Sequence, residues 1–454
     1  MTLEGEMKNL TKGNPIKLII IFAIPLFIGQ LFQLFYSLVD TRIIGSTLGD
    51  TALAAVGATT SLSDMLTWLL SGITSGFGII ISRYFGADDK VYMKNTIAWT
   101  IILSVLITSV LSFFGIVFLP QILGILNVSE ELLPQSRDYI RIILAGLIAN
   151  TLYNVCAAIL RAIGDSFTPL LFLILATILN IFLDYIFILN FHLGVEGAAW
   201  ATIISQAFSA LLCFPYMIRR YPNLKLNACD FIYRKIVLKN LISTGLSMGF
   251  MVSLVSLGTI ALQTSINTFG TNIIIAHTCA RKITSMLMLP LGVLGTTLAT
   301  YCGQNLGAGE YIRIKKGIKD SLILCFAWCI VAIILAYTIS PQLIHLITAC
   351  EIKEVIDTGS LYLRVNTLFY FITAIISLFR NSMQGFGDNK TPVFSSSLEL
   401  FCKVVIAYFL APIIGYMGII VSEPIAWIIM VIPLIVNMIR NPIFKNTEIS
   451  SAMM

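Results

Sequence analysis

Charged residues are scarce in this chain of 454 residues, at 11% against 57% for hydrophobic residues. Soluble domains usually carry about 25% charged residues, so this scarcity excludes a soluble globular protein. Histidine is rarer still, with three residues and no HExxH pattern, and the nine cysteines form no CxxC pair. Neither a structural zinc site nor a disulfide framework is expected. The sequence therefore predicts no enzyme and no cofactor.

Long apolar runs fill most of the chain instead. About 20 apolar residues cross the hydrocarbon core of a bilayer as a helix. Twelve runs of this kind occur, at about 16–39, 52–81, 96–119, 139–160, 168–190, 193–217, 241–266, 272–302, 318–340, 361–382, 392–412 and 413–438. The sequence predicts an all-α integral membrane protein with twelve transmembrane helices, which has the lipid bilayer as a partner.

Lys and Arg predict the orientation of these spans, because cytoplasmic loops carry an excess of positive charge. If the N-terminus is cytoplasmic, 21 of the 29 Lys and Arg residues lie on the cytoplasmic side. We therefore expect a multi-pass protein of the inner (plasma) membrane with both termini in the cytoplasm. This topology explains the net charge of +6 without a nucleic-acid partner. We expect a monomer.

The chain repeats itself at a nearly constant offset. "GDSFTP" at 164–169 returns as "GDNKTP" at 387–392, an offset of 223 residues, and "FGADDKVYMKNTI" at 85–97 returns as "LGAGEYIRIKKGI" at 306–318, an offset of 221. The pattern predicts a six-helix lobe at 1–218, a basic cytoplasmic linker at 219–240 and a second six-helix lobe at 241–454. Because each half has an even number of spans, the two bundles should be parallel and related by a pseudo-two-fold axis along the membrane normal.

Polar residues at helical spacing mark one face of several spans in the first half. Acidic residues within a bilayer are costly, by about 2.5 kcal/mol or more on insertion scales, and those of this half have no basic residue at a matching depth. We expect the stripes to converge on one pocket that binds a cation, a proton or both. The alternative for the uncharged residues is hydrogen bonding between helices. The stripes contain Gln33, Tyr36 and Asp40; Asn150, Tyr153 and Asn154; Asn180 and Asp184; and Thr202 and Gln206.

The second half lacks counterparts of both acids and carries a different polar set. Glu399 and Lys403 have the i, i+4 spacing of an ion pair, with a cavity role as the alternative. Further cavity candidates are Arg281, Lys282, Asn366 and Tyr370. Two residues of the first half stay open at this point: Asp64 between cavity and structure, and Pro25 between a static and a moving bend of the first helix.

The ordered set of "VDTRIIGSTLGDTALAAVG" (39–57), "RAIGDSFTP" (161–169), "GVEGAAWATIISQ" (194–206) and "GDNKTP" resembles the MATE family, the multidrug and toxic compound extrusion transporters. The likeness spans essentially the whole chain. It implies an antiporter that exports organic cations in exchange for Na⁺ or H⁺. It also implies a cation site in the N-terminal lobe, at Asp40, Asn180, Asp184 and Thr202. An acid that another branch carries in the seventh helix is missing from "ALQTSINTFG".

The main alternative is a flippase or exporter of lipid-linked oligosaccharide or polysaccharide with a similar architecture. Arg281, Lys282 and Lys403 favour this alternative, since such a substrate carries a pyrophosphate. A transporter of another six-plus-six superfamily does not fit the loop "SRYFGADDKVYMK", and a channel would show a filter-like loop. Substrate identity and the choice between Na⁺ and H⁺ leave no signature in the sequence.

Overall fold

The computed structural model describes residues 9–126, 128–348 and 352–445, and this part of the chain is helical without strands. The chain ends, whose cytoplasmic location the sequence predicts, lie outside the described residues. The helices are α1 (Pro15–Leu48), α2 (Asp50–Gly86), α3 (Lys90–Val117), α4 (Leu119–Ile125), α5 (Leu133–Ala162), α6 (Phe167–Tyr185), α7 (Gly194–Arg220), α8 (Lys235–Ile266), α9 (Thr271–Gly307), α10 (Tyr311–Thr338), α11 (Ser340–Thr348), α12 (Lys353–Thr367), α13 (Tyr370–Phe386), α14 (Lys390–Val405), α15 (Ala411–Ile414), α16 (Tyr416–Arg440) and α17 (Pro442–Lys445).

The predicted membrane spans are found in this set of helices. Eleven helical segments of the described chain are long and apolar enough to cross a bilayer, and a bent pair brings the number to twelve. Several exceed the thickness of the hydrocarbon core: α2 has 37 residues and is about 55 Å long at 1.5 Å per residue. The fold is therefore the all-α membrane architecture expected from the sequence, with helices that extend beyond the bilayer.

The tenth span differs from the expectation of one continuous helix at 361–382. It consists of α12 and α13, which meet at an angle of 55° after a two-residue break. Its counterpart in the first half, α5, is continuous over 30 residues. The bend places Asn366 and Tyr370 on opposite sides of the break, so the two residues do not form one uninterrupted stripe.

Local geometry repeats between the halves as the sequence repeat predicts. Asp165 accepts hydrogen bonds at Oδ1 from the backbone N–H groups of Phe167 and Thr168, at 3.1 and 3.0 Å. Asp388 accepts the equivalent two bonds at 3.1 Å each. The preceding Gly164 and Gly387 have φ of 89° and 95°, a conformation that glycine adopts without strain. A π-helix follows in each half, at Ile186–Asn190 and Ile406–Leu410.

The chain forms two compact units, and their limits differ from the lobes drawn from the sequence. Unit 1 contains Ile24–Gly249; unit 2 contains Leu10–Ala23 and the described residues from Phe250 onward. The linker belongs to unit 1 because Asn95 on α3 donates to the backbone carbonyl of Asp230 at 2.8 Å. The start of α1 belongs to unit 2 because Arg313 donates to the carbonyl of Gly13 at 2.8 Å.

Close helix packing within unit 1 depends on small residues. A Cβ added at Gly76 on α2 would lie 2.7 Å from the Cα of Gly245 on α8, and one at Gly72 would lie 3.0 Å from the Cα of Gly249. Small residues at such crossings let two backbones approach in a membrane, where packing replaces the hydrophobic effect as the driving force. These glycines therefore fix the α2–α8 crossing.

Candidate functional site

Two acidic side chains meet inside unit 1. Asp184 on α6 is fully buried, and Asp40 on α1 is half-buried. Their carboxyl groups are close enough to interact electrostatically. Two ionised carboxylates are both acceptors, so one can donate to the other only when it is protonated. The Oδ1 atoms of both residues are buried without a hydrogen-bond partner in the part of the chain that the structure describes.

Neutral oxygen and nitrogen atoms complete the surroundings of this carboxyl pair. In the orientation that satisfies both ends of its amide, Asn180 donates to Asp184 Oδ2 at 3.1 Å and accepts from the backbone N–H of Thr202 at 3.2 Å. The hydroxyl groups of Thr202 and Tyr36 are 3.3 Å apart. The structure thus brings together Asp40, Asn180, Asp184 and Thr202, the four residues that the resemblance implied, from α1, α6 and α7.

Tyr139 on α5 is a member of this site that the sequence analysis missed. It is buried and close enough to Asp40, Asp184 and Asp64 to interact with them electrostatically. The stretch "SRDYIR" around it is rich in charge and reads as the polar end of a span. In the structure α5 already begins at Leu133, so Tyr139 lies within the helix and not in a loop before it. Its side chain is buried in the helix bundle.

Asp184 lies two residues before the π-helix at Ile186–Asn190. A π-turn leaves the regular i to i−4 pattern and is frequent at functional sites. The same arrangement occurs in unit 2, where Lys403 lies three residues before the π-helix at Ile406–Leu410. Asp184 and Lys403 therefore lie at equivalent places in the two halves, in the last turn of the regular helix before the π-helix.

Six further residues were predicted for this pocket. Tyr36 contacts the site, because its hydroxyl lies 3.3 Å from that of Thr202. The other five form no hydrogen bond with the residues of the site among the described contacts. Asn154 donates to Asn150 Oδ1 at 2.8 Å, within α5, and Tyr153 donates to the carbonyl of Pro169 at 2.8 Å. Asn150 is eleven residues from Tyr139, which is about 16 Å along the helix. Gln33 is exposed and Gln206 half-buried. Tyr153 and Asn154 on α5 therefore form the hydrogen bonds between and within helices that were the alternative to a place in the pocket.

Unit 2 contains a chain of ion pairs rather than a pair of acids. Glu399 accepts from Lys403 at 2.9 Å and from Arg380 at 3.2 Å. Glu423 on α16 pairs with Arg281 and lies 3.8 Å from Lys403 Nζ. Three basic residues thus share two carboxylates, and four of the five side chains are at most 10% exposed. We call these five residues the unit 2 ion network.

Arg281 differs from the rest of the network, because 29% of its side chain is exposed. It lies beside a pocket of about 290 Å³, part of which is open, with His277, Tyr362, Glu423, Gln263 and Thr259 in the lining. Tyr362 donates to Glu423 Oε2 at 2.8 Å, and His277 Nδ1 is 3.0 Å from the hydroxyl of Tyr416. The lining also includes Leu262, Ile266 and Ile419, so polar and apolar side chains together surround the accessible guanidinium group.

Of the six residues considered for a cavity of unit 2, only Arg281 lines this pocket; Glu399 and Lys403 pair with each other instead. Lys282 is exposed, since consecutive residues of a helix point in different directions and Arg281 occupies the inward position. Asn366 is buried and donates to the carbonyls of Tyr362 and Ile420 at 3.0 and 3.3 Å. Tyr370 is fully buried. The last two residues lie in the packed interior of the unit.

Glu423 and Arg380 are members of the unit 2 ion network that the sequence analysis did not select. Glu423 is a lone acid within the apolar run at 413–438, and an ionisable residue at such a position indicates a functional site by default. That rule would have found it. Arg380 lies shortly before "GDNKTP" in the sequence. The distribution of Lys and Arg therefore predicts a cytoplasmic position for it and not a place in an ion network.

Comparisons with known proteins agree with this architecture. The model of a family described as MatE matches twice, at residues 25–186 and 247–409, once in each half of the repeat. A solved structure described as the outward-facing conformation of a multidrug resistance MATE family transporter of the MOP superfamily superposes with a TM-score of 0.88. It is 24% identical and covers 98% of this chain and 99% of its own.

Two curated relatives illustrate the range of proteins that are similar to this chain. The "Probable multidrug resistance protein YoeA" of Bacillus subtilis is 30% identical over 333 residues, which is 72% of each chain. A protein of Shewanella oneidensis named "FAD transporter" is 25% identical over 418 residues, which is 90% of this chain and 91% of that protein.

Proposed function

Because this chain belongs to the MatE family, we propose that it is a secondary active multidrug efflux antiporter, which exports organic cations in exchange for Na⁺ or H⁺. The family is one of membrane transporters, so the chain is a transporter and not an enzyme. The relative named as a multidrug resistance protein supports the efflux of drugs. The coupling ion and the class of substrate are the parts that we propose.

The observation that carries this proposal is the carboxyl pair of Asp40 and Asp184. No basic side chain pairs with either acid among the described residues. Two acids in a low-dielectric site favour uptake of a proton or a cation. The Oδ1 atoms of both acids and the hydroxyl of Thr202 are also oxygen ligands of the kind that a hard cation such as Na⁺ prefers.

Coupling then requires only that the two conformations of the transporter differ in affinity for the ion. An external Na⁺ or H⁺ that neutralises the carboxyl pair favours the conformation in which the helices close around Asp184. That conformation holds the exported cation less tightly. A ligand can shift a conformational equilibrium only by its difference in affinity between the states, and a buried pair of acids provides such a difference for a cation.

Purified protein in proteoliposomes tests the proposal directly. Vesicles are loaded with a fluorescent organic cation, and the Na⁺ gradient and the pH gradient are imposed separately. We expect one of the two gradients to drive transport of the dye, and the variant Asp184→Asn to abolish that response. Dye flux that is the same with and without both gradients would refute the antiport mechanism.

The unit 2 ion network supports one second candidate, a flippase or exporter of lipid-linked oligosaccharide or polysaccharide. Three bases against two acids leave one positive charge in excess, which suits a phosphate group. Competition separates the two candidates. A lipid-linked sugar pyrophosphate that displaces the dye, with no effect of organic cations, would favour the second.

A further inference from the structure

The unit 2 ion network has an unequal balance of charge. Its bases are Arg281, Arg380 and Lys403, and the carboxylates that contact them among the described residues are Glu399 and Glu423. Arginine is always protonated in proteins. With both acids ionised and Lys403 protonated, the network therefore carries one positive charge that no carboxylate of the described residues neutralises, in a position where an uncompensated charge is costly.

The excess charge is accessible at only one place. Arg380, Lys403, Glu399 and Glu423 have side chains at most 10% exposed, whereas Arg281 is 29% exposed. Arg281 bonds to Glu423 through Nη1 and also lies close to Tyr362. Because a guanidinium group has five N–H donors, these two contacts do not use all of them. A guanidinium group can bind a carboxylate or a phosphate with two parallel hydrogen bonds.

The pocket beside Arg281 is shaped for a small group of this kind. The pocket is small and partly open, so one group of a larger molecule can approach Arg281 while the rest of that molecule stays outside the pocket. Tyr362 and His277 close one side of it, with ring centroids 5.1 Å apart and nearly perpendicular planes. The amide of Gln263 adds a further polar group to the lining.

We propose that this pocket is an anion subsite, in which Arg281 binds a carboxylate or phosphate group of the transported molecule. The inference rests on the proposed export function and narrows its substrate class: the preferred substrates are organic cations that also carry an anionic group, and are therefore zwitterions. The two units then have opposite roles, since unit 1 binds the coupling cation and unit 2 holds the anionic part of the substrate.

A matched pair of dyes tests the subsite. A rhodamine with a free carboxylate and its methyl ester differ by one negative charge and a methyl group. Binding to the purified protein is measured by fluorescence anisotropy, and export is measured in proteoliposomes. The protein should bind and export the free carboxylate better than the ester, and Arg281→Gln should weaken binding of the carboxylate dye by about tenfold or more. It should leave binding of the ester unchanged.

Three further variants separate recognition from folding. Lys282→Gln removes an exposed positive charge at the next position and should have no effect on either dye. Arg281→Lys should restore part of the affinity, because it keeps the charge without the planar fork. Arg281→Gln combined with Glu423→Gln removes the ion pair without leaving Glu423 unpaired. This double variant should stay defective for the carboxylate dye if Arg281 binds the anion.

The outcomes distinguish this inference from the proposed export function. Equal affinity of the wild-type protein for both dyes, or recovery of carboxylate binding in the double variant, would overturn the subsite. Export of the ester alone would overturn the subsite and leave the export function standing. Carboxylate binding that depends on Arg281 in a protein that exports neither dye would support the subsite and refute the proposed function.

Discussion

Replacement of Asp184 with Asn removes one negative charge from the carboxyl pair while it keeps the size of the side chain. The amide introduced at this position could still accept from Asn180 and could donate to Asp40, so the local geometry is preserved. The substitution therefore imitates the neutralised site. We expect the variant to insert and fold, and to lose the response to the coupling ion.

The structure allows the size of both effects to be worked out. Asp184 is fully buried, and an ionised aspartate at such a depth costs about 2.5 kcal/mol or more. The Asn variant should therefore be more stable than the wild type by about 2.5 kcal/mol or more when the wild-type acid is ionised. A coupling free energy of about 1–3 kcal/mol corresponds to a loss of about 5- to 150-fold in ion-driven export.

The difference in stability between Asp184→Asn and the wild type should depend on pH. Asn at position 184 is neutral at every pH, whereas an aspartate is charged at high pH and protonated, and therefore neutral, at low pH. The gain from Asp184→Asn should therefore be largest at high pH and vanish at low pH.

The assay measures export under a fixed gradient and thermal unfolding of the purified protein over a range of pH. Asp50→Asn is the matched control, because Asp50 is an exposed acid of the same unit; it should resemble the wild type in both measurements. Asp40→Asn should behave like Asp184→Asn, and the double variant should be little worse than either, because residues that act as one unit are not additive. Export at the wild-type rate by Asp184→Asn would show that Asp184 is structural.

Three other predictions concern individual contacts. Asn180→Ala should reduce ion-driven export, because Asp184 Oδ2 loses its donor at 3.1 Å; unchanged ion affinity in a flux titration would contradict this role. Gly76→Ala should destabilise the protein by about 1–3 kcal/mol in thermal unfolding, whereas Gly57→Ala, with no atom within 4 Å of the added Cβ, should not; equal melting temperatures would argue against the tight crossing. Asp388→Ala should cost about 1 kcal/mol through lost bonds to the first turn of α14, and a melting temperature equal to that of the wild type would show that water replaces this cap.

The fold was predictable because the bilayer allows few solutions. Every backbone polar group must be satisfied within its own segment, so apolar runs of sufficient length become helices. The bend between α12 and α13 was not predictable in this way. Residues 353–386 contain no proline, and Leu368 and Phe369 at the break are apolar. Hydropathy therefore does not record the bend.

The acidic site was predictable and the basic network was not, for a physical reason. Asp40 and Asp184 lack basic residues at their depth, so the cost of their charge identifies them from the sequence alone. In unit 2, acids and bases neutralise one another, and the pairing of Glu423 with Arg281 joins residues 142 positions apart. Only Glu399 and Lys403 are close enough in sequence for helical spacing to indicate their contact.

The division of α1 and α8 between the two units has a consequence for what one repeat can encode. Unit 2 includes Leu10–Ala23, the beginning of α1, and unit 1 includes the beginning of α8 as far as Gly249. Neither repeat alone therefore encodes a complete unit. A chain with one repeat could complete its unit only by exchanging these stretches with a second copy, as in domain swapping. Because this chain carries both repeats, the exchange is intramolecular and depends on no partner concentration.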